Sequence, residues 1–280
     1  MKNPVAILVE SNGGVARVTL NRPHRRNAFD AGMVEELCQA FAELGRSPLI
    51  RATVLTGNGS AFCAGADIDW MRSGGTLSMS EAQKEAERLM KMFRAIDECP
   101  CPVIARIQGP AFGGGVGMIA ACDIAVAVED ATFALSEVRL GMVPAVIAPF
   151  LLRKTGESFL RRFCLTGESF SASAAKQGNL VHDVVERNQL DSRVDELIQM
   201  VLGVAPQAAR DTKGLFHRLP ALSDDERWST CVESNVRARL SAEAQEGLRA
   251  FLERRAPVWT AMPGEQGEEG KPHDVARWRA

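Results

Sequence analysis

The chain has 280 residues, of which 46% are hydrophobic and 24% charged, and its formal net charge is −2. This composition is that of a globular protein with one large or two small domains, and the near-neutral charge gives no reason to expect nucleic acid as a partner. No apolar run reaches the roughly 18 residues of a membrane-spanning helix, and the start does not fit a signal peptide, so we expect no membrane association and a cytoplasmic protein.

The first predicted element is a β-hairpin. Residues 5–10 and 15–20 alternate apolar and polar side chains around Asn12-Gly13-Gly14, which is a hairpin signature. Asp30 is a predicted cap for a helix at residues 31–44, whose apolar side chains share one face. The next predicted elements are a strand at 51–56, a mobile Gly- and Ser-rich segment at 71–79, and a helix at 80–96 with a Ser80/Gln83 capping box.

The glycine-rich residues 113–117 form the most informative pattern. They follow a predicted buried strand at Val103–Ile107 and a turn at Gly109-Pro110, and they lead into a predicted helix at 118–122. Glycines at a helix start let backbone N–H groups approach a bound group at the positive end of the helix dipole. Such a place suits an oxygen that is or becomes negative.

A candidate acid or base follows in the same unit. Strands are predicted at Ile124–Val128 and at residues 132–135, and Glu137 comes next, between apolar neighbours. This setting favours an acid–base role over a surface carboxylate or a helix cap. The glycines do not satisfy the dinucleotide pattern G-x-G-x-x-G, because Met118 stands where the third glycine is needed, and the chain has no P-loop.

Strands and helices alternate up to about residue 135, which predicts an α/β fold of βαβ units with a mostly parallel sheet. Beyond Pro144 the pattern is helical, with one strand at 181–185. We divide the chain into a core at 1–200, a helical region at 201–257 and a polar, Gly-rich tail at 258–280 that is flexible or docks. The later helices are predicted at residues 148–154, 157–165, 172–177, 187–202, 206–219 and 224–253.

Cysteine and histidine form no pattern of a metal site. The seven cysteines lie in apolar contexts, and Cys99-Pro100-Cys101 lacks the C-x-x-C spacing. Free cysteine usually behaves as a small buried hydrophobe. The four histidines form no ligand pair at helical spacing. We therefore expect no metal.

Three motifs stand out by their order and spacing: residues 61–67 (AFCAGAD), 108–115 (QGPAFGGG) and 121–124 (ACDI), with Asn21-Arg22-Pro23 and Asn27-Ala28 near the start. Together they make the chain similar to the crotonase superfamily, also called enoyl-CoA hydratase/isomerase. The resemblance implies a crotonase-like spiral of ββα units and a C-terminal helical trimerisation region. It also implies an acyl-CoA thioester substrate, no separate cofactor because coenzyme A is part of that substrate, and a homotrimer or a hexamer.

The resemblance also implies where the site lies. Two backbone N–H groups would stabilise the enolate oxyanion, and by motif position they belong to Ala64 and Gly114. Glu137 matches the second of two glutamates that hydratases of the family commonly carry. The first falls at Gly117, which would leave room for a bulky substituent on the substrate. The predicted substrate-binding residues are Arg25, Ala28, Ala64, Gly65, Ala66, Asp67, Ile68, Gly114 and Gly117.

Two of these residues have equally simple structural interpretations. Arg25 and its neighbour Arg26 suit the phosphates of coenzyme A, but they also fit a solvated basic loop. Asp67 caps the following helix turn or contacts the ligand.

A single carboxylate leaves three functions open. Residues 133–147 are similar to bacterial methylglutaconyl-CoA and isohexenylglutaconyl-CoA hydratases of leucine and acyclic terpene breakdown, which favours a lyase for a branched, carboxylated 2-enoyl-CoA. A 3-enoyl to 2-enoyl-CoA isomerase needs one carboxylate only, and the missing first glutamate favours it. The third is an acyl-CoA-binding protein without catalysis.

Overall fold

The computed structural model describes residues 5–260, and two compact units divide between Leu197 and Ile198. The first unit holds all the strands. These are β1 (Ile7–Asn12), β2 (Val15–Leu20), β3 (Ala52–Gly57), β4 (Val103–Ile107), β5 (Ala111–Phe112), β6 (Ile124–Val128), β7 (Thr132–Ala134), β8 (Ser169–Ser171) and β9 (Asp183–Val185). The helices are α1 (Ala31–Arg46), α2 (Ile68–Gly74), α3 (Met79–Asp97), α4 (Gly114–Ala121), α5 (Ala148–Thr166), α6 (Ala172–Gln177), α7 (Leu190–Gly203), α8 (Pro206–Arg218), α9 (Asp224–Arg239) and α10 (Ala242–Glu253).

Six strands form the main sheet in the order β1-β2-β3-β4-β6-β9. The predicted hairpin of β1 and β2 is antiparallel, and every other neighbouring pair in this sheet is parallel. The prediction of a mostly parallel sheet is therefore confirmed. Because the carboxyl ends of parallel strands meet at one edge, the loops that follow β3 and β4 lie side by side.

The second sheet has the order β5-β7-β8. β5 is parallel to β7, with Ala111 opposite Phe133 and Phe112 opposite Ala134. β8 pairs with β7 in the antiparallel direction. This register brings the residues just after β7, Glu137 among them, next to the end of β5 where the glycine run begins.

Helix boundaries differ from the predictions where small residues are involved. α4 begins at Gly114, inside the glycine run, and not at residue 118. The capping box of α3 consists of Ser78 and Glu81, two residues before the predicted Ser80/Gln83 pair. α2 occupies part of the segment 71–79 that was expected to be mobile.

The break predicted between helices 148–154 and 157–165 is confirmed, because α5 is interrupted at Gly156, which has φ 76° and ψ 166°. A second break, later in the chain, was not predicted. The predicted single helix 224–253 is two helices: α9 ends at Arg239, and Ser241 caps α10 by accepting a hydrogen bond from the Ala244 N–H at 3.0 Å.

In the second unit, helices α8 to α10 carry several exposed apolar side chains. On α9 they recur at four-residue spacing, with Trp228 73%, Val232 63% and Val236 41% exposed. A short 3-10 turn at Val258–Thr260 ends the described chain, and the rest of the predicted tail lies outside the described residues.

Within residues 5–260, no helix is long and apolar enough to cross a membrane. The same part of the chain contains no group of three or more His, Cys, Asp or Glu side chains that could hold a metal ion. The cytoplasmic location and the absence of a metal or cofactor remain predictions.

Candidate active site

The loop after β3 is tied to its neighbours by backbone bridges. Phe29 and Ala66 form one bridge, in which the Phe29 N–H donates to the Gly65 carbonyl at 2.9 Å and the Asp67 N–H donates to the Phe29 carbonyl at 2.8 Å. Cys63 forms a second bridge with Ala111 at the start of β5. These bonds fix the backbone on both sides of Ala66.

The structure contradicts the assignment of the Ala64 N–H to the oxyanion hole. This group donates a hydrogen bond to the Arg26 carbonyl, with an N···O distance of 3.0 Å. A donor that is already used would have to give up that bond to hold a substrate oxygen. The Ala66 N–H, two residues later, has no hydrogen-bond partner among residues 5–260, so it is the donor that this loop offers.

Gly114 supplies a second free donor. It is the first residue of α4, and its N–H makes no hydrogen bond within the described part of the chain. A Cβ atom built on Gly65 would lie 3.5 Å from the Gly114 nitrogen and 2.9 Å from the Phe112 carbonyl oxygen. Because Gly65 has no side chain, the two loops come this close, and the N–H groups of Ala66 and Gly114 are neighbours at the positive end of α4.

Glu137 faces the same place from the other side. A Cβ atom built on Gly113 would lie 3.0 Å from the Glu137 Oε1 atom. The second carboxyl oxygen, Oε2, is buried and has no hydrogen-bond partner among the described residues. Burial raises the pKa of this carboxyl, and a hydrogen bond from its own backbone N–H offsets part of the rise. A half-buried carboxyl with a raised pKa is a better proton acceptor, once ionised, than an exposed one, which suits an acid–base role.

The room expected at Gly117 is not present. A Cβ atom on this residue would lie 2.3 Å from Ile147 Cγ2 and 3.1 Å from Phe93 Cε1. Both side chains are buried, Ile147 at 3% and Phe93 at 1% exposure. The expectation that Gly117 makes space for a bulky substituent is therefore wrong, because Ile147 fills that space.

An aromatic wall extends from the free N–H groups into the interior. The ring of Phe29 lies 6.3 Å from that of Trp70 and 6.4 Å from that of Phe93, centroid to centroid. Phe93 in turn lies 5.9 Å from Phe150. This wall suits an apolar chain next to a polar reacting group.

Arg22, which the sequence marked only as part of the Asn21-Arg22-Pro23 motif, holds the two loops in place. The Arg22 Nη2 atom lies 3.0 Å from a carboxylate oxygen of Asp67 and 3.0 Å from one of Asp30. Its Nη1 atom donates a hydrogen bond to the Ala28 carbonyl. Asp67 also accepts a hydrogen bond from the Asp69 N–H at 3.0 Å, so the predicted helix cap is confirmed. Burial raises the pKa of Asp67, but these hydrogen bonds outweigh it and lower the pKa overall.

Asn27 is a second positioning residue that was named only as part of a motif. It is fully buried and donates through Nδ2 to the Asn58 and Ala61 carbonyls, both at 2.8 Å. Its Oδ1 accepts a hydrogen bond from the backbone N–H of Arg22 at 3.0 Å. Asn27 has φ 57°, a left-handed conformation that Asn tolerates better than most residues, so an Asn in this loop was the one signal in the sequence.

Of the remaining predicted binding residues, Ile68 and Arg25 lie at the outer side of the site and Ala28 does not. Ile68, the first residue of α2, is 70% exposed, whereas Ala28 is buried beside Phe29. Arg25 forms an exposed ion pair with Asp69, with an N···O distance of 3.1 Å. The structure thus brings Ala66, Gly114 and Glu137 together, and it leaves Arg25 and Ile68 near the surface.

Comparison with known proteins gives a consistent result. A family model described as "Enoyl-CoA hydratase/isomerase" matches residues 10–262. A crystal structure of an enoyl-CoA hydratase from Shewanella pealeana superposes with a TM-score of 0.87 at 37% identity, covering 91% of this chain and 96% of that one. The crotonase-like fold class predicted from the sequence is confirmed by this match.

Two fungal relatives were also found among curated proteins. Enoyl-CoA hydratase AKT6-1 of Alternaria alternata is 33% identical over 245 residues, which are 87% of this chain and 80% of the relative. Mevalonyl-coenzyme A hydratase sidH of Aspergillus fumigatus is 33% identical over 246 residues, which are 86% and 90% of the two chains.

Proposed function

Since this chain belongs to the enoyl-CoA hydratase/isomerase family, we propose that it adds water to a 2-enoyl-CoA thioester with Glu137 as the one carboxylate at the reacting carbons. That it is an enzyme of the hydratase type follows from the family; the single-carboxylate mechanism is our proposal. The observation that carries it is the Glu137 carboxyl beside Gly113, half-buried and with one oxygen free of partners.

The thioester oxygen would accept hydrogen bonds from the N–H groups of Ala66 and Gly114. Charge that develops on this oxygen during the reaction is then met by preorganised donors, each of which is worth about 10²–10³ in rate at comparable sites. Both donors lie at the positive end of α4, which adds to the stabilisation of an enolate.

Glu137 would handle both proton transfers. As the carboxylate, it takes a proton from water while the water oxygen bonds to Cβ and the C=C electrons move toward the thioester oxygen. The protonated Glu137 then returns that proton to Cα as the enolate collapses to the thioester. The carboxylate is regenerated, so no second acid or base is required.

Coenzyme A would enter from the exposed side of the two loops. Arg25 and Arg26 are exposed there, on the short helical turn before Asn27. Their guanidinium groups suit phosphate oxygens. Binding would compete with the existing Arg25–Asp69 ion pair, so we propose Arg26 as the stronger contact.

A branched, carboxylated acyl chain is the finer part of the proposal. Its support is the resemblance of residues 133–147 to hydratases of methylglutaconyl-CoA and isohexenylglutaconyl-CoA, since Gly117 supplies no extra room. A spectrophotometric assay with crotonyl-CoA and these two substrates tests it. Faster loss of the enoyl absorbance with a branched, carboxylated substrate than with crotonyl-CoA is expected. Equal or faster loss with crotonyl-CoA would contradict the branched chain, and no loss with any substrate would contradict hydration.

Isomerisation is the second candidate, because Gly117 leaves the site with one carboxylate. One carboxyl can move a proton between Cα and Cγ of a 3-enoyl-CoA without adding water. A gain of conjugated enoyl absorbance with a 3-enoyl-CoA, together with no hydration of any 2-enoyl-CoA, would establish this candidate instead.

We also propose that the protein forms a homotrimer through its C-terminal unit. The exposed apolar stripe Trp228, Val232 and Val236 on α9 supports this, because monomers rarely expose such stripes. Light scattering after size exclusion should give a trimer that Trp228→Glu dissociates and Glu233→Gln leaves intact. A wild-type monomer would refute it.

A further inference from the structure

Ile147 occupies the place where a side chain on the second turn of α4 would stand. Its Cγ2 atom lies 2.3 Å and its Cβ atom 2.9 Å from the position of a Cβ atom on Gly117. Real Cβ atoms do not approach other atoms this closely, so Gly117 and Ile147 are complementary: the absent side chain of one makes room for the large side chain of the other.

The Phe93 ring joins this contact to the free N–H of α4. Its Cζ atom lies 3.6 Å from a Cβ position on Gly114, and its Cε1 atom lies 3.1 Å from that on Gly117. Residues three apart on a helix share a face, with about 5–6 Å between their side-chain positions. Ile147 therefore stands one helical turn from the oxyanion donor, on the buried side of the site.

The backbone and neighbours of Ile147 hold it in this position. It directly precedes α5, and its carbonyl accepts the Leu151 N–H at 3.1 Å. Phe150, in the first turn of α5, packs its ring against Phe93. The side chain is thus part of a rigid wall and not of a mobile loop.

We infer that Ile147 is a specificity-determining residue, whose side chain closes the acyl site at the level of Gly117 and limits the bulk of the acyl group that fits beside Glu137. The inference rests on the proposed function for the presence of an acyl-CoA there. The acyl chain of a thioester whose oxygen accepts from the Gly114 N–H would meet the aliphatic and aromatic carbon of Ile147 and Phe93 at this level, so shape decides what fits there.

Binding of two saturated thioesters tests the inference without turnover. Calorimetry would give the Kd of butyryl-CoA and of 3-methylbutyryl-CoA for the wild type and for Ile147→Ala. The matched control is Ile104→Ala, the same deletion at a fully buried residue near the amino end of β4. If an alanine variant does not fold, Ile147→Val and Ile104→Val replace the pair.

We expect Ile147→Ala to shift the ratio of the two Kd values about tenfold toward 3-methylbutyryl-CoA, the size of effect that one branch has in an apolar pocket. The control should leave the ratio unchanged. An unchanged ratio in the Ile147 variant, or an equal shift in the control, would overturn the inference alone. If neither thioester binds the wild type, the proposed function fails and the inference falls with it.

Discussion

Gly113 and Gly114 at the start of α4, here called the polar turn, and Gly117 about one turn later, here called the apolar turn, all lack a side chain, yet their surroundings are opposite. Gly113 faces the Glu137 carboxyl and Gly114 offers a free N–H group, whereas Gly117 faces Ile147 and Phe93. The first glycines leave space for a ligand and the last leaves space for the protein itself. A missing side chain therefore does not by itself predict a roomy site; the residue that packs against it decides.

The largest effect is expected at the polar turn, from Glu137→Gln. An amide keeps the shape of the side chain but cannot transfer the proton, so kcat should fall by about 10²–10⁴-fold while the Kd of butyryl-CoA changes little. Steady-state kinetics and calorimetry measure the two. The control is Glu129→Gln, at an exposed carboxylate after β6. Equal losses of kcat in both variants would contradict a specific role of Glu137 in proton transfer.

A charged side chain at the apolar turn should destabilise the fold. Gly117→Glu would place a carboxylate against Ile147 and Phe93 with no partner, and the free energy of unfolding should drop by about 3–5 kcal/mol. Urea unfolding measures this, with Gly214→Glu as the control because nothing lies within 4 Å of its Cβ position. Adding Ile147→Gly should recover part of the loss. A Gly117→Glu variant as stable as the wild type would mean that the two turns do not differ.

The fold was predictable from the sequence to the extent that local patterns determine it. The hairpin of β1 and β2, the cap at Asp30 and the parallel sheet follow from alternation and capping residues. The start of α4 did not, because glycine has low helix propensity and only packing keeps Gly114 and Gly115 helical.

The candidate site was predictable in its motifs but not in its individual atoms. Ala64 and Ala66 flank Gly65 and are identical in local sequence character. The Arg26 carbonyl, distant in sequence, takes the N–H of Ala64 and leaves that of Ala66 free. The contact of Gly117 with Ile147 is likewise tertiary, so no local sequence pattern predicts it.

A smaller effect is expected where the loops of the polar side are tied together. Arg22→Met leaves Asp67 buried without its guanidinium partner, which should cost about 2 kcal/mol of unfolding free energy. In the wild type the pKa of Asp67 is lowered, so the ionised carboxylate stabilises the fold at neutral pH and this stabilisation is lost as pH falls through the folded pKa. The unfolding free energies of the variant and the wild type should therefore converge in acid. Arg161→Met, which removes an exposed ion pair, is the control. Equal losses of unfolding free energy in the two variants would contradict the role of Arg22 in holding the loops.

The smallest effect concerns the stability of the polar turn itself. The pKa of Glu137 is raised above 4.5 in the folded protein, so its contribution to stability is present in acid and is lost as pH rises through the folded pKa. Glu137→Gln should therefore be more stable than the wild type at neutral pH and equal to it in acid. Urea unfolding at roughly pH 4 and 7 compares them; a variant less stable at neutral pH would contradict a burial penalty.

The most direct test is to follow solvent oxygen into the product. The purified protein would be incubated with crotonyl-CoA, 3-methylglutaconyl-CoA and isohexenylglutaconyl-CoA in ¹⁸O-labelled water, and the products analysed by mass spectrometry. We expect a 3-hydroxyacyl-CoA carrying one solvent oxygen in the wild type and none above background in Glu137→Gln. Products without label, or labelling that Glu137→Gln leaves unchanged, would contradict hydration by this single carboxylate.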